Sequence, residues 1–590
     1  MARPATIRLN CIISGDDAEN TFVVTLPSDS TVTDLVVSIG DTHKRFTGED
    51  LTGIRLIQCS LTKDQLSKLE SLTNEPPLSR MGYIEDYWPD FSTIDRKMVH
   101  VLVYAANRSR VVPETPQISP DAGITDTISQ LTLAQEKTQR KIQDGLSAST
   151  AALPRIFMAE QKRDDTPIYN GRPWDRTGKP IEIYHSAFRV FLDNLNQEDI
   201  ASELDYTSTE NLLWDSQAIY KDKGKRGIAI TTQLSTLLRR DISYERVSGC
   251  QADGVIKWRA LNNGLQAYYS ILDIKNEIGD ATCDPSIQGA QSYAKYWSQD
   301  EVNPIRKLSC CPSFILAIAG PWICILGGIY LTEIVVQPLT EMLWMANHPH
   351  KESRLRYLSR VFAALRDGID HLDAYYRSLV SNISPATPLR EDLARFYPDI
   401  CQYQANGHET KIIYVDDINR LVFKAQTEDG RYVVVKFVER YNAPAHELLA
   451  LHGLAPKLLF DSADRLYGGY RMVVMELIDG KPLSEHAEIT VGPQAATEML
   501  RRVCPSVEQA LKLLHGDNFA FGDLRPPNIM VVEENGETKA KLVDFDWCVV
   551  AGEGRYPVNL SEQIMWPEGV ARGGFIQKEH DNAMFDSIFP

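Results

Sequence analysis

Gly522-Asp523-Leu524-Arg525-Pro526-Pro527-Asn528, followed by Val543-Asp544-Phe545-Asp546, decides how the last third of this 590-residue chain is read. A phosphoryl-transfer site needs a carboxylate facing the acceptor hydroxyl, an Asn and an Asp holding magnesium, and a cation on the phosphates. Asp523, Asn528 and Asp544 supply the first three roles. Lys436, in the strand-like Val434-Val435-Lys436-Phe437, supplies the fourth. Singly, each is an ordinary turn acid or a solvated lysine. In this order and at this spacing they point to one site that binds ATP and Mg2+.

Outward from that stretch, a glutamate is needed to hold Lys436. Glu447, in Ala445-His446-Glu447-Leu448, is the candidate, with His446 as its rival. Met472-Val473-Val474-Met475-Glu476 reads as the strand and hinge that meet adenine, which makes Glu476 a cofactor-binding candidate. The pattern resembles that of protein kinases, with departures. No G-x-G-x-x-G precedes Lys436, Phe521 replaces the histidine of H-R-D, and Asp546 replaces the glycine of D-F-G. A closing acid of this kind is also found in small-molecule kinases. The competing reading is a pseudokinase, the fold without the chemistry.

A second constellation lies upstream. Ala252-Asp253-Gly254-Val255-Ile256 reads as a strand carrying an acid, and Tyr269-Ser270-Ile271-Leu272-Asp273-Ile274-Lys275 as its neighbour. Alternation puts Asp273 and Lys275 on one face. Two carboxylates on one magnesium with an ammonium beside them are equipment for phosphodiester hydrolysis. Asp253 and Asp273 hold the metal, and Lys275 orients or activates the attacking water. Charges within an otherwise apolar strand need such a reason. Glu277 is an accessory acid. Lys221, Lys223, Lys225, Arg226, Arg239 and Arg240 are candidate phosphate contacts. Gln288, Gln291, Tyr293, Lys295 and Tyr296 ride the next helix. D…D-x-K recurs by chance in chains of this length, and an exposed strand with salt-bridged charges is the bland alternative.

Bulk properties narrow the field. A net charge of −17 argues against a generally basic nucleic-acid coat, while leaving room for a local basic cleft. Ten cysteines without a C-x-x-C pair fit buried thiols better than a disulfide or zinc framework. Phe314 to Val336 is apolar apart from Glu333, but Gly320-Pro321 and Gly327-Gly328 interrupt it. Those breaks favour buried strands over a membrane helix, so no membrane insertion is expected. Met1 to Thr6 lacks the apolar region of a secretory signal.

The first hundred residues read as hairpin, helix, then strands, the ubiquitin-like order. Their strands start at Thr6 and Thr21, a helix at Ser30, and later strands at Ile54 and Val99. Pro113, Pro116 and Pro120 mark a linker, Thr125 to Leu146 a polar helix, and Leu355 to Leu379 a packing helix.

With these parts assembled, the chain resembles fungal Crinkler-type effectors. Leu9-Asn10-Cys11-Ile12-Ile13-Ser14-Gly15-Asp16-Asp17 and Val99-His100-Val101-Leu102-Val103 are similar to the N-terminal Crinkler domain that opens such effectors. The stretches around Asp253, Asp273 to Glu277, Gln288 to Trp297 and Cys310 to Phe314 resemble a PD-(D/E)xK nuclease domain. The leucine-rich translocation motif of oomycete members has no clear counterpart. The resemblance implies a multidomain α+β and α/β chain. Its parts are a ubiquitin-like β-grasp Crinkler domain at 1–105 and a linker with a helix at 106–165. A restriction-endonuclease-like α/β core follows at 166–345, then a helical connector at 346–395 and a bilobal kinase-like domain at 396–590. It also implies secretion without a recognisable signal and delivery to a host cell and its nucleus. Host DNA, ATP and host protein substrates are the implied partners. Residence in the cytoplasm or nucleus of the producing fungus is the alternative. The second functional reading is an effector acting through its kinase, or as an ATP-binding scaffold, with an inactive nuclease-like domain.

Overall fold

The computed structural model describes residues 6–13, 21–27, 30–42, 54–62, 78, 84–88, 98–105, 120–247, 250–260, 264–279, 282–381, 383, 391–405, 407–464, 468–489 and 493–589. The chain forms two compact units, Met1–Ile118 and Ser119–Pro590. Both combine helices with sheet.

In the first unit, β1 (Thr6–Ile13) forms an antiparallel pair with β2 (Phe22–Pro27). It is followed by α1 (Val32–Thr42), β3 (Ile54–Thr62) and β4 (Met98–Ala105). β4 lies parallel to β1, giving the order β2-β1-β4-β3. Alternation sends Ile7, Leu9, Cys11, Val24 and Leu26 to one face, where they pack with Leu35, Val36 and Ile39 of α1. The strands and helix expected from the sequence stand at these positions.

The second unit opens with α2 (Pro120–Asp144), the expected polar helix. β5 (Ile168–Tyr169), α3 (Ser186–Asn194) and α4 (Lys223–Leu238) follow. β6 (Ser243–Val247), β7 (Cys250–Arg259) and β8 (Gln266–Lys275) form a meander. After α5 (Pro285–Trp297) come β9 (Ser313–Ala319), β10 (Trp322–Tyr330), β11 (Ile334–Pro338) and β12 (Leu343–Trp344). The sheet order is β5-β11-β10-β9-β8-β7-β6, with β12 on β10. β8 and β9 are parallel because α5 crosses between them, as a parallel pair requires. Every residue of β9 is buried. α5 covers one face through Gly289 on Ile315. α3 and α6 (Lys351–Ser381) cover the other through Phe188, Phe191 and Gly368 on Phe314.

The apolar run from Phe314 is thus three strands, and its Gly-Pro break is a hairpin turn. Gly320 has a φ of +54° there, and a side chain would collide with the Glu277 carboxylate. Among the described residues no helix is long and apolar enough to cross a membrane.

The chain then builds β13 (Gln402–Ala405), β14 (His408–Asn419), β15 (Val422–Thr427) and β16 (Tyr432–Val438). Next come α7 (Ala443–Leu451), β17 (Leu458–Asp461) and β18 (Arg471–Glu476), giving the order β13-β14-β15-β16-β18-β17. Beyond lie β19 (Gly480–Pro482), α8 (Pro493–Gly516), β20 (Phe519–Ala520), β21 (Ile529–Glu534), β22 (Glu537–Leu542), β23 (Val549–Val550) and α9 (Lys578–Ile588). One apolar cluster runs from Ile142 to Val474 across both larger sheets. A second joins α7 and α8 to Phe521 and Phe545.

Candidate functional sites

The register that pairs Gly254 with Leu272 sets Asp253 opposite Asp273 on β7 and β8. Asp253 Oδ2 accepts from the Ile274 amide at 2.8 Å and ion-pairs with Lys223 of α4 at 2.8 Å. Asp273 is fully buried. Lys275 Nζ stands 2.7 Å from Asp273 Oδ1 and donates to Gln288 Oε1 of α5 at 2.7 Å. Lys275 thus ion-pairs Asp273 Oδ1, while Oδ2 is buried with no hydrogen-bond partner. Burial pushes the Asp273 carboxyl up, against Lys275 and with help from Asp253, to about 6. A cavity of about 570 Å³ opens beside Lys275, floored by Ala317 and Ala319, which lie in register with Asp273 and Lys275.

The upstream cations divide. Arg226, expected as a phosphate contact, is buried. It donates to the Ser216 and Ala218 carbonyls and to Glu277 Oε1 at 2.5 Å. A guanidinium so enclosed is structural, and Glu277 is its counter-ion. Arg239 pairs with Asp205 and Arg240 with Asp370. Lys221 and Lys225 are exposed. Lys223 alone of this group reaches the carboxylate site, which its sequence position gave no reason to single out.

The second site gathers Lys436, Asp523, Asn528 and Asp544, brought together by β16 and the loops around β21 and β22. Lys436 Nζ lies 2.7 Å from both Asp544 Oδ1 and Asp546 Oδ1. Burial pulls its pKa down, but the two carboxylates outweigh burial and hold it above the usual lysine value. Asp544 has a left-handed φ of +73°, a strained conformation for a non-glycine residue. Burial would raise Asp544, yet Lys436 holds it below the ordinary range, while burial and Asp544 push Asp546 up to about 7.

Asp523 is gripped by Arg525, whose Nη2 is 2.7 Å from Oδ2, and by Asn528 Nδ2 at 2.9 Å. Burial raises its pKa against Arg525. Asp581 of α9 accepts the Phe521 and Gly522 amides at 2.7 and 2.8 Å, fixing the loop that carries Asp523. It lies 60 residues from Phe521, and nothing local marks it.

One expectation is corrected. Glu447 is exposed on α7, and Lys436 takes Asp546 as its second acid instead. Among the residues α7 turns inward is His446, which stacks on Phe545 at 4.6 Å. Glu476 is also exposed at the end of β18, where Oε2 accepts from the Lys457 amide. It does not line the cavity of about 730 Å³ beside Lys436, Asp544 and Asp546.

Among the described residues no group of three or more His, Cys, Asp or Glu is arranged to hold a metal. Each site offers at most a pair of hard oxygen side chains from the expected set. Magnesium keeps several waters and takes one or two carboxylates, so such pairs suit it. The buried Asp273 Oδ2, without a hydrogen-bond partner, fits a cation, provided Lys223 yields its hold on Asp253.

Residues 7–104 match the Crinkler effector protein N-terminal domain. Over 93 residues, 15% of this chain, the sequence is 30% identical to MAP kinase-activated protein kinase 2 of Oryctolagus cuniculus, Cricetulus longicaudatus and Mus musculus. The matched stretch covers 25%, 28% and 24% of those proteins, so the chain spans about a quarter of the length of the curated relatives it matches.

Proposed function

We propose that this chain is a Crinkler-type effector in which a metal-dependent nuclease is fused to a kinase-like phosphotransferase. The Crinkler match over residues 7–104 supports delivery to a host cell, and the nucleus, with host DNA as substrate, is the proposed destination. The mixed sheet of β1 to β4 suits a β-grasp domain. The β6 to β11 sheet with its α5 crossover suits a restriction-endonuclease-like core, and β13 to α9 a bilobal kinase-like fold.

The observation that carries the nuclease reading is Asp273, a buried carboxylate with Oδ2 unpartnered, ion-paired to Lys275 and opposite Asp253. Asp253 and Asp273 would hold Mg2+, which supplies Lewis-acid stabilisation and an activated water when bound. Lys275, fixed by Gln288, orients the attacking water at the scissile phosphate. Lys223 is set to exchange Asp253 for the phosphate.

The test is supercoiled plasmid with magnesium, using the parent beside Asp273→Ala and Lys275→Ala. Cleavage by the parent with loss of at least about 100-fold in both variants is expected for groups acting in the transition state. Equal cleavage by all three, or none by a folded parent, removes the nuclease reading.

A second reading, the kinase as the acting part, is favoured by the Lys436–Asp544 pair and by the 30% identity to a protein kinase. Asp523 would accept the acceptor's hydroxyl proton, Lys436 would hold the ATP phosphates, and Asn528 and Asp544 would hold the accompanying Mg2+. Phosphate transfer from labelled ATP that disappears in Asp523→Asn would favour it.

A further inference from the structure

Next to the Asp253–Asp273 pair, the surface carries aromatic and cationic side chains that the hydrolytic chemistry does not use. Trp214, on the helix Glu203–Gln217, is 63% exposed, although tryptophan is highly buried on average. It walls a cavity of about 250 Å³ together with Leu213, Asn347, His348, Lys351 and Arg354.

Backbone contacts tie both walls of this cavity to the end of β8. The Gly320 amide donates to the Lys275 carbonyl at 3.3 Å, and the Met345 amide to the Pro321 carbonyl at 2.8 Å. Asn347 and His348 follow directly. On the other side, Asn276 Nδ2 donates at 3.1 Å to the carbonyl of Tyr220, which lies between the Trp214 helix and Lys223. β12 stands three strand spacings from β8, about 14 Å. A nucleic-acid strand in a duplex carries one phosphate per about 3.4 Å of axis, so that gap is roughly four nucleotides.

Unpaired cations surround the cavity. Lys221 and Lys225 are exposed and make no ion pair among the described residues. Arg354 makes none either, and its Nη2 donates to the Trp344 carbonyl at 3.0 Å. The acids beside them are held: Glu210 by Lys351 at 2.7 Å, Asp215 by Gln233 at 2.7 Å, and Asp222 as the cap of α4.

We infer that this face binds single-stranded DNA, with an unpaired base stacked on Trp214 and the backbone led past Lys221 and Lys225 to Asp253 and Asp273. The inference rests on the nuclease reading and deepens it by naming an unpaired strand as the substrate. Any base offers a flat face to an indole, while cations track the phosphates. An intact duplex keeps its bases inside and presents only backbone to Trp214. A supercoiled plasmid supplies opened segments, because negative supercoiling favours strand separation.

Fluorescence anisotropy on the full chain in EDTA reads binding without cleavage. The probes are a labelled oligo(dT) of about 12 nucleotides and its duplex with oligo(dA). The parent should bind the single strand at least about tenfold more tightly than the duplex. Trp214→Ala should lose about tenfold for the single strand, the worth of one stacked base, and little for the duplex. Trp214→Phe should recover most of that loss. Equal affinity for the two probes, or unchanged affinity in Trp214→Ala, overturns the inference. So does polyglutamate that displaces the probe as readily as unlabelled oligo(dT), which would mark a surface for acidic chains. If the parent still cleaves plasmid with magnesium, those outcomes leave the nuclease reading standing. Binding that depends on Trp214 in a parent that cleaves nothing keeps the single-strand site and removes the nuclease reading.

Discussion

At the scale of single residues, His446 shows how a side chain the motif does not name holds the site. Its Nε2 faces the Pro456 carbonyl at 2.7 Å, and a carbonyl only accepts, so Nε2 carries the proton. Nδ1 meets the Tyr441 hydroxyl at 2.8 Å, and the ring stacks on Phe545 beside Asp544. Burial therefore keeps the imidazole neutral, with its pKa pulled down to about 4. The folded value lies below the unfolded one near 6.5, so the contribution is whole above pH 6.5 and is lost as pH falls towards 4. We predict that the parent loses about 2 to 3 kcal/mol more stability than His446→Leu between pH 7.5 and 4.5 in urea denaturation. Equal losses would show that this ring is not the titrating group. Asp523, Asn528 and Asp544 were legible because their spacing is local and the chemistry demands those residue types. Asp546 as the partner of Lys436 and Asp581 as the anchor of the loop were not. Each depends on which distant segment the fold lays beside it, and a carboxylate carries no mark of its future neighbour.

At the scale of elements, the breaks in the apolar run from Phe314 were readable because Gly-Pro admits a turn and stops a helix. The role of α2 was not, since its polar sequence reads as a spacer. The structure makes it part of the second unit. Gln135 and Thr138 of α2 bond the carbonyls at the end of β10 and beyond, and Thr132 bonds Glu391. The C-terminal carbonyls of a helix have no partner within it. Here the buried Lys295 of α5 supplies one, its ammonium bonding the Ile142, Gln143 and Gly145 carbonyls, with Gly145 at 2.9 Å. The positive charge also opposes the helix dipole. Lys295, expected only as a polar rider on α5, thus clips α2 to the helix that covers the β6 to β11 sheet. Lys295→Met keeps the apolar stem and removes the donors. It should cost about 2 kcal/mol, and hydrogen exchange should speed up along α2 before it does in β8. Unchanged exchange in α2 would show that the clip carries no load.

At the scale of the whole molecule, the sequence suggests a nuclease-like part ending near 345 and a kinase-like part beginning near 396. Within Ser119–Pro590, however, the apolar cluster containing Phe188 and Phe314 also contains Tyr397, Tyr414, Phe423 and Val474. Polar contacts reinforce the join. Arg189 bonds Asp399 at 2.6 Å, Lys179 pairs with Asp417, and Arg420 reaches the Gly178 carbonyl at 2.6 Å. Gly468, at a φ of +64°, lets the loop before β18 press against Glu182. A composition shift marks where a chain changes character, but it does not show whether the faces on either side are covered. The two parts should therefore unfold together. A fragment of residues 119–590 should keep the melting temperature of the parent's larger unit. A fragment of residues 396–590 would leave Tyr397, Tyr414 and Phe423 without the side chains that cover them, and charged groups without their partners. It should melt about 10 °C or more lower, or aggregate. Calorimetry of the two fragments decides it. If the shorter one melts where the longer does, the kinase-like part is an independent body, and the turn at Arg420 is free of the sheet that holds Asp273.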